Sequence, residues 1–306
     1  MKKSFLITGS AGFIGFHLSK FLLSKNLKVY GVDNINNYYD QKLKLNRLRE
    51  LSKFKNFTFY KEDIVHLNKL DKLFKKSKAS VVINLAAQAG VRYSIKKPQE
   101  YIKNNIIGFQ NILDLCVKYK IKHLVYASSS SIYGLNNKVP FNEVEGASHP
   151  ISVYAATKRS NELLAHVYSN MYNLPTTGLR FFTVYGPWGR PDMAPIIFAK
   201  AILKGEEINV NNFGNMERDF TYIDDIIEGL YRCCMKPATP DDDFDTLNPN
   251  PSSSYAPHRI FNIGNNSSIN LINFIEIMER ILNKKAKMKL CPLPKGDVIA
   301  TRADTS

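Results

Sequence analysis

The chain has 306 residues, 44% of them hydrophobic and 23% charged, which is the composition of a folded globular protein rather than a disordered or fibrous one. A net charge of +15 raises nucleic-acid binding, but the basic residues are scattered and form no stripe interleaved with aromatics; that partner is not expected, and the positive field suits capture of a small anion. The four cysteines (Cys116, Cys233, Cys234, Cys291) are too few and too irregular for a disulfide framework, and no Cys/His set has zinc spacing, so a reduced cytoplasmic compartment and no metal are expected.

Lys2 and Lys3 precede an apolar run that resembles a secretion signal, yet Gly9, Ser10 and Gly12 break it and helical periodicity follows. No later segment approaches the length that crosses a membrane, and a soluble chain is expected. Residues 5–7 read as a strand and 13–23 as a helix with Phe13, Leu18 and Leu22 on one face. Strands follow at 29–32, 57–60, 81–85 and 123–127, separated by helices at 43–54, 67–74 and a long one at 98–119. A further helix at 154–172 leads to a strand at 177–181. This alternation predicts an α/β fold with a doubly wound parallel sheet of the Rossmann type. Ligands then bind at the carboxyl ends of the strands. Beyond Gly186 the rhythm loosens around Pro187, Pro191 and Pro195, a polar loop spans 237–257, and helices are expected at 223–235 and 271–282. The reading divides the chain into a dinucleotide-binding domain, residues 1–180, and a smaller C-terminal lobe, mainly 181–306.

Between the first strand and first helix stands Gly9-Ser10-Ala11-Gly12-Phe13-Ile14-Gly15. Glycines at this spacing let the backbone turn tightly, approach a pyrophosphate and offer it the unpaired amides of a helix N-terminus. Three glycines alone would equally serve a structural turn. The motif nonetheless follows a strand, opens a helix, and is followed at the end of the next strand by Asp33 and Asn34. A carboxylate there accepts hydrogen bonds from ribose hydroxyls and repels a 2′-phosphate, which favours NAD over NADP.

Tyr154 and Lys158 stand four apart at the start of a helix, on one face. A phenol is a poor base at its usual pKa of about 10, and a nearby ammonium favours the phenolate. Ser128 to Ser131 end the fifth strand, where a hydroxyl could share the proton. Tyr38/Lys42 and Tyr93/Lys97 repeat the spacing; position singles out Tyr154.

These segments together resemble the extended short-chain dehydrogenase/reductase family, that is, the NAD-dependent epimerases and dehydratases. The resemblance extends through Val32-Asp33-Asn34-Ile35-Asn36-Asn37-Tyr38-Tyr39, Ala86-Ala87-Gln88-Ala89-Gly90-Val91-Arg92, Gly186-Pro187-Trp188-Gly189-Arg190-Pro191-Asp192 and Arg218-Asp219-Phe220-Thr221-Tyr222. Within that family these segments look like those of the UDP-glucuronate 4-epimerases. The resemblance implies Ser129, Tyr154 and Lys158 as catalytic residues and NAD as cofactor. It implies Gly9, Gly12, Phe13, Ile14, Gly15, Asp33 and Asn34 around the phosphates and ribose, Asp63 and Ile64 at the adenine, and Ala86, Ala87 and Asn104 beside the nicotinamide. Arg218 would meet the substrate diphosphate. Ser130, Ser131 and Thr183 would meet a sugar carboxylate, with Arg92 and Arg190 nearby; structural ion pairs are the alternative for those two arginines and for Arg218.

The resemblance implies a UDP-sugar substrate, a homodimer, and C4 epimerisation of a UDP-uronic acid through a 4-keto sugar. UDP-glucuronate decarboxylation, UDP-hexose 4-epimerisation and a non-catalytic NAD-binding regulator are the alternatives. It also implies a chain some tens of residues longer than this one, and other residue types at Lys295 and Arg302.

Overall fold

The computed structural model describes residues 3–306. The first half runs β1 (Ser4–Thr8), α1 (Phe13–Ser24), β2 (Lys28–Asp33), α2 (Gln41–Leu51), β3 (Phe57–Lys61), α3 (Leu67–Ser77) and β4 (Val81–Asn84). Then come α4 (Val91–Lys96), α5 (Pro98–Tyr101), α6 (Gly108–Lys118), β5 (His123–Ser129), α7 (Val153–Tyr172) and β6 (Thr176–Phe181). These strands, joined by β10 (His258–Ile263), form one parallel sheet in the order β10-β6-β5-β4-β1-β2-β3. Here is the doubly wound sheet that the alternation predicts. The sheet takes its last strand from well beyond residue 180.

Both faces of the sheet are covered, so its strands are nearly continuous apolar runs. In β1, alternation sends Phe5 and Ile7 to the face packed by α1 and α9 (Ile223–Met235), while Leu6 joins α3, α6 and α7 on the other. Phe21 of α1 meets Tyr231 of α9 edge-on at 5.1 Å, fastening the late helix to the first. Ser152 caps α7, its side chain accepting the Ala155 N–H at 3.1 Å, and Asn173 ends the helix in the left-handed conformation.

The single helix predicted over 98–119 is interrupted. Residues Ile102–Ile107 form a π-helical turn between α5 and α6, a device that widens the ladder and turns side chains off their helical positions. There the Asn161 amide donates to the Asn105 carbonyl at 2.6 Å, and the Asn105 side chain clamps Gln88, accepting its N–H at 2.8 Å and donating to its carbonyl at 3.0 Å. The apolar pattern runs unbroken through this turn, so periodicity does not reveal it.

The C-terminal lobe is built from short pieces. β7 (Thr183–Tyr185), β9 (Glu217–Tyr222) and β11 (Ser268–Asn270) form a three-stranded sheet, and β8 (Glu207–Val210) pairs with β12 (Lys287–Leu290). The helices α8 (Ala194–Lys204) and α10 (Leu271–Leu282) pack over β8 around Phe198, Ile202, Ile208 and Ile275. No helix among the described residues is long and apolar enough to cross a membrane.

Candidate active site

A cleft of about 940 Å³ opens at the carboxyl ends of β1, β2, β4, β5 and β6, walled on the far side by the C-terminal lobe. Every site residue singled out in the sequence lines it: the Gly9–Gly15 turn, Asp33 and Asn34, Asp63 and Ile64, Ala86 and Ala87, Asn104, Arg92, Ser129 to Ser131, Tyr154, Lys158, Thr183, Arg190 and Arg218.

Gly9 adopts φ +72°, and a Cβ there would lie 2.8 Å from the Ala86 nitrogen. At Gly15 a Cβ would fall 2.1 Å from the Gly9 carbonyl oxygen, so no other residue fits without moving the turn. Gly12 begins α1 with no side-chain cap and no acidic residue in the first turn, leaving the N-terminal amides and the positive end of the helix open to an anion. Asp33, 8% exposed, accepts the Ala11 N–H at 3.1 Å and the Ile35 N–H at 2.8 Å. Burial pushes its carboxyl up, and the Lys44 ammonium and those amides oppose the shift. The Asn34 amide donates to Asp63 at 2.8 Å, tying the ends of β2 and β3 together. A glycine cradle, an uncapped helix N-terminus and a hydrogen-bonded carboxylate beyond them fit a dinucleotide with a free ribose.

Lys44 is a residue that the sequence reading missed. Its Nζ, brought to the cleft from α2, donates to the Asn36 carbonyl and side-chain oxygens at 3.1 and 2.6 Å. Four basic residues in the eleven of α2 (Lys42, Lys44, Arg47 and Arg49) hide which of them point inward.

Lys158, 3% exposed, donates to the Ala127 carbonyl at 2.8 Å, and burial pulls its pKa down to about 8 against the field of Glu162. Burial pushes the Tyr154 phenol up; the Ser129 hydroxyl and the Arg190 guanidinium pull it down. The sequence expects Lys158 to favour the phenolate, but in this structure the cation acting on Tyr154 is Arg190, because Lys158 is turned to the end of β5. Ser129 caps a short 3-10 turn, its oxygen accepting the Ser131 N–H at 3.2 Å. Ser128 points elsewhere: its hydroxyl donates to the buried Glu162 at 2.6 Å.

All three arginines for which an ion pair is the alternative carry one. Arg190 donates through Nε and Nη2 to Asp192, which also accepts the Tyr38 hydroxyl at 3.1 Å. Arg92 and Arg218 share Asp297, at 3.3 and 2.9 Å. Asp297 itself sits on a segment stitched down by Asp219, whose buried carboxylate accepts the Asn265 and Ala303 N–H groups at 2.9 and 3.0 Å. Asn104 lines the cleft with its side chain donating to the Glu100 carbonyl at 2.7 Å. Asp297 lies 79 residues from Arg218, and no local pattern announces that pairing. Among the described residues no cluster of His, Cys, Asp or Glu could hold a metal ion.

Residues 5–264 match the model of the NAD dependent epimerase/dehydratase family. The chain is 54% identical over 299 residues to Protein CapI of Staphylococcus aureus, a match covering 98% of this chain and 89% of that protein. It is 44% identical over 308 residues to the probable UDP-glucuronate 4-epimerase of Rhizobium meliloti, covering 98% and 88%. The structure superposes on that of the UDP-glucuronic acid 4-epimerase from Bacillus cereus, solved with UDP-glucuronic acid and NAD, with a TM-score of 0.86. Identity there is 33%, over 98% of this chain and 90% of that one. The glycine turn, the Tyr154/Lys158 helix and these matches agree: the chain belongs to the NAD-dependent epimerase/dehydratase family.

Proposed function

We propose that this protein inverts C4 of a UDP-linked uronic acid, interconverting UDP-glucuronate and UDP-galacturonate. The chain is an NAD-dependent sugar-nucleotide 4-epimerase; the proposal adds the acidic sugar and the roles of individual residues. The observation that carries it is the Arg190 guanidinium, which lines the same cleft as the Tyr154 phenol. A cation at the reacting end of the cleft is what a carboxylate two bonds from C4 requires, and Ser130, Ser131 and Thr183 add hydroxyl donors along the same wall.

NAD would be held by the Gly9–Gly15 turn with Phe13 and Ile14, by Asp33 and Asn34, by Asp63 and Ile64 on the adenine side, and by Ala86, Ala87 and Asn104 on the nicotinamide side, all of which line the cleft. When bound, it supplies the oxidant and then the reductant of C4. Tyr154 takes the proton from the C4 hydroxyl and later returns it, Ser129 sharing that hydrogen bond. Lys158 would hold the ribose with its ammonium, while the charge that favours the phenolate is that of Arg190. Arg218 meets the diphosphate, exchanging its bond to Asp297 for one to phosphate. A 4-keto uronic acid is a β-keto acid that loses CO₂ when its carboxylate bond aligns with the carbonyl; Arg92 and Arg190, both lining the cleft, would hold that carboxylate out of alignment.

A neutral sugar leaves these donors unpaired, so kcat/KM for UDP-glucuronate is expected to exceed that for UDP-glucose by roughly 100-fold or more. Equal values in parallel steady-state assays would remove the acidic sugar from the account. The protein also forms a homodimer in this reading. Leu163, Val167 and Met171 make an exposed apolar stripe at helical spacing on α7, at 55%, 45% and 63% exposure, beside Ile107 at 51%. Light scattering at the mass of one chain, 34.8 kDa, would contradict that assembly.

A further inference from the structure

Beneath the catalytic helix lies a charged cluster that the reaction does not touch. Glu162 stands one helical turn after Lys158 on α7, and the two side chains share a face. Its carboxylate is buried, and four bonds converge on it: Arg180 Nε at 3.0 Å, Arg180 Nη2 at 3.1 Å, Arg159 Nη1 at 2.8 Å and the Ser128 hydroxyl at 2.6 Å. Arg180 is itself fully buried and donates onward to the Tyr133 hydroxyl at 3.0 Å. Lys158 makes no bond to Glu162; its ammonium is held by the Ala127 carbonyl.

A buried ion pair is weak ground for stability, since desolvation consumes most of the attraction. A buried carboxylate set a turn below a buried lysine has another consequence. Three cations, Lys158, Arg159 and Arg180, surround one anion. Without that anion no charge would oppose the burial of the lysine, in a medium that screens poorly.

We propose that Glu162 is a positioning residue that keeps the Lys158 ammonium charged, with Arg159 and Arg180 setting how much of its field reaches the lysine. Resting on the assignment of Lys158 to catalysis, the inference adds what controls that lysine's protonation. Burial alone pulls Lys158 down, and Glu162 is the group that opposes it. Other titratable groups face the cluster from each neighbouring element: Tyr126 on β5, Tyr133 after it, Arg180 on β6, His258 on β10 and Arg159 on α7. Tyr126 is pushed well above its usual range and His258 down to about 3 by burial, so both stay neutral across the working range and leave Glu162 as the anion. The hydrogen bond from Ser128 fixes the residue before Ser129, so the same carboxylate also braces the strand end that carries the catalytic hydroxyl.

The test reads Lys158 directly, without turnover. In protein labelled at lysine Cε and carrying its NAD, the resonance lost in Lys158→Met identifies this side chain. Exposed lysines titrate near 10.4, so a lysine depressed by burial stands apart from them in a pH titration. Glu162→Gln is expected to lower its midpoint by about one pH unit. Arg159→Gln, changing a side chain that is 22% exposed, frees more of the carboxylate's field and is expected to raise the midpoint. Opposite shifts are a signature that mere loss of packing does not produce. Midpoints that stay in place in both variants, or move the same way, overturn the inference. If Glu162→Gln does not fold, Arg159→Gln decides alone, an unmoved midpoint overturning it. Opposite shifts in a protein inactive on UDP-glucuronate would uphold this inference while refuting the proposed substrate.

Discussion

Tyr154→Phe is expected to lower kcat by about 10²- to 10⁴-fold, the usual contribution of a positioned general acid–base group. The substitution keeps the ring, which packs edge-on against Tyr101 at 6.1 Å, and removes only the hydroxyl. Substrate affinity, measured by calorimetry, should stay within a few-fold, since Arg218 and the hydroxyls around Thr183 are untouched. An equal loss in kcat and kcat/KM, with binding unchanged, is what removal of a group acting only in the transition state gives. Full activity in this variant would transfer the proton to another residue and dissolve the assignment.

Arg180→Met is the stability counterpart. Arg180 has no exposure, carries two bonds to Glu162 and one to Tyr133, and stacks its guanidinium 5.0 Å from the Tyr133 ring. Methionine fills much of the volume but leaves a buried carboxylate whose one remaining ion-pair partner is the partly exposed Arg159, Lys158 making no bond to it. Breaking a buried pair from one side costs on the order of 3–5 kcal/mol, far more than exposed pairs give. Urea unfolding should show a loss of that size; a loss below about 1 kcal/mol would mean that Arg159 and water compensate Glu162 fully.

The Rossmann half is legible in the sequence because its physics is local. Strands such as β1 and β4 are buried on both faces and therefore read as plain apolar runs, and the helices between them show one apolar stripe. The glycine turn and Asp33 announce themselves by their place in that alternation. The C-terminal lobe is less legible. β11 has three residues and exists only through pairing with Glu217 to Asp219, some fifty positions away. α8 was hidden by Pro195, read as a breaker although it occupies the first turn, where proline has no hydrogen bond to lose.

The site divides in the same way. Tyr154, Lys158 and Ser129 are marked by spacing and order. What tunes them is not: Arg190 reaches Tyr154 from a distant loop, and Asp297 joins Arg92 to Arg218 across the fold. Glu162 was within reach, four residues after Lys158. A lone glutamate on a helix usually reads as a solvated charge, and only its burial shows otherwise.

The most direct test of the account is incubation of the purified protein with UDP-glucuronate, followed by NMR of the products. The account predicts UDP-galacturonate, with the carboxylate retained and no CO₂ released. A UDP-pentose with CO₂, or UDP-glucuronate returned unchanged, would contradict it.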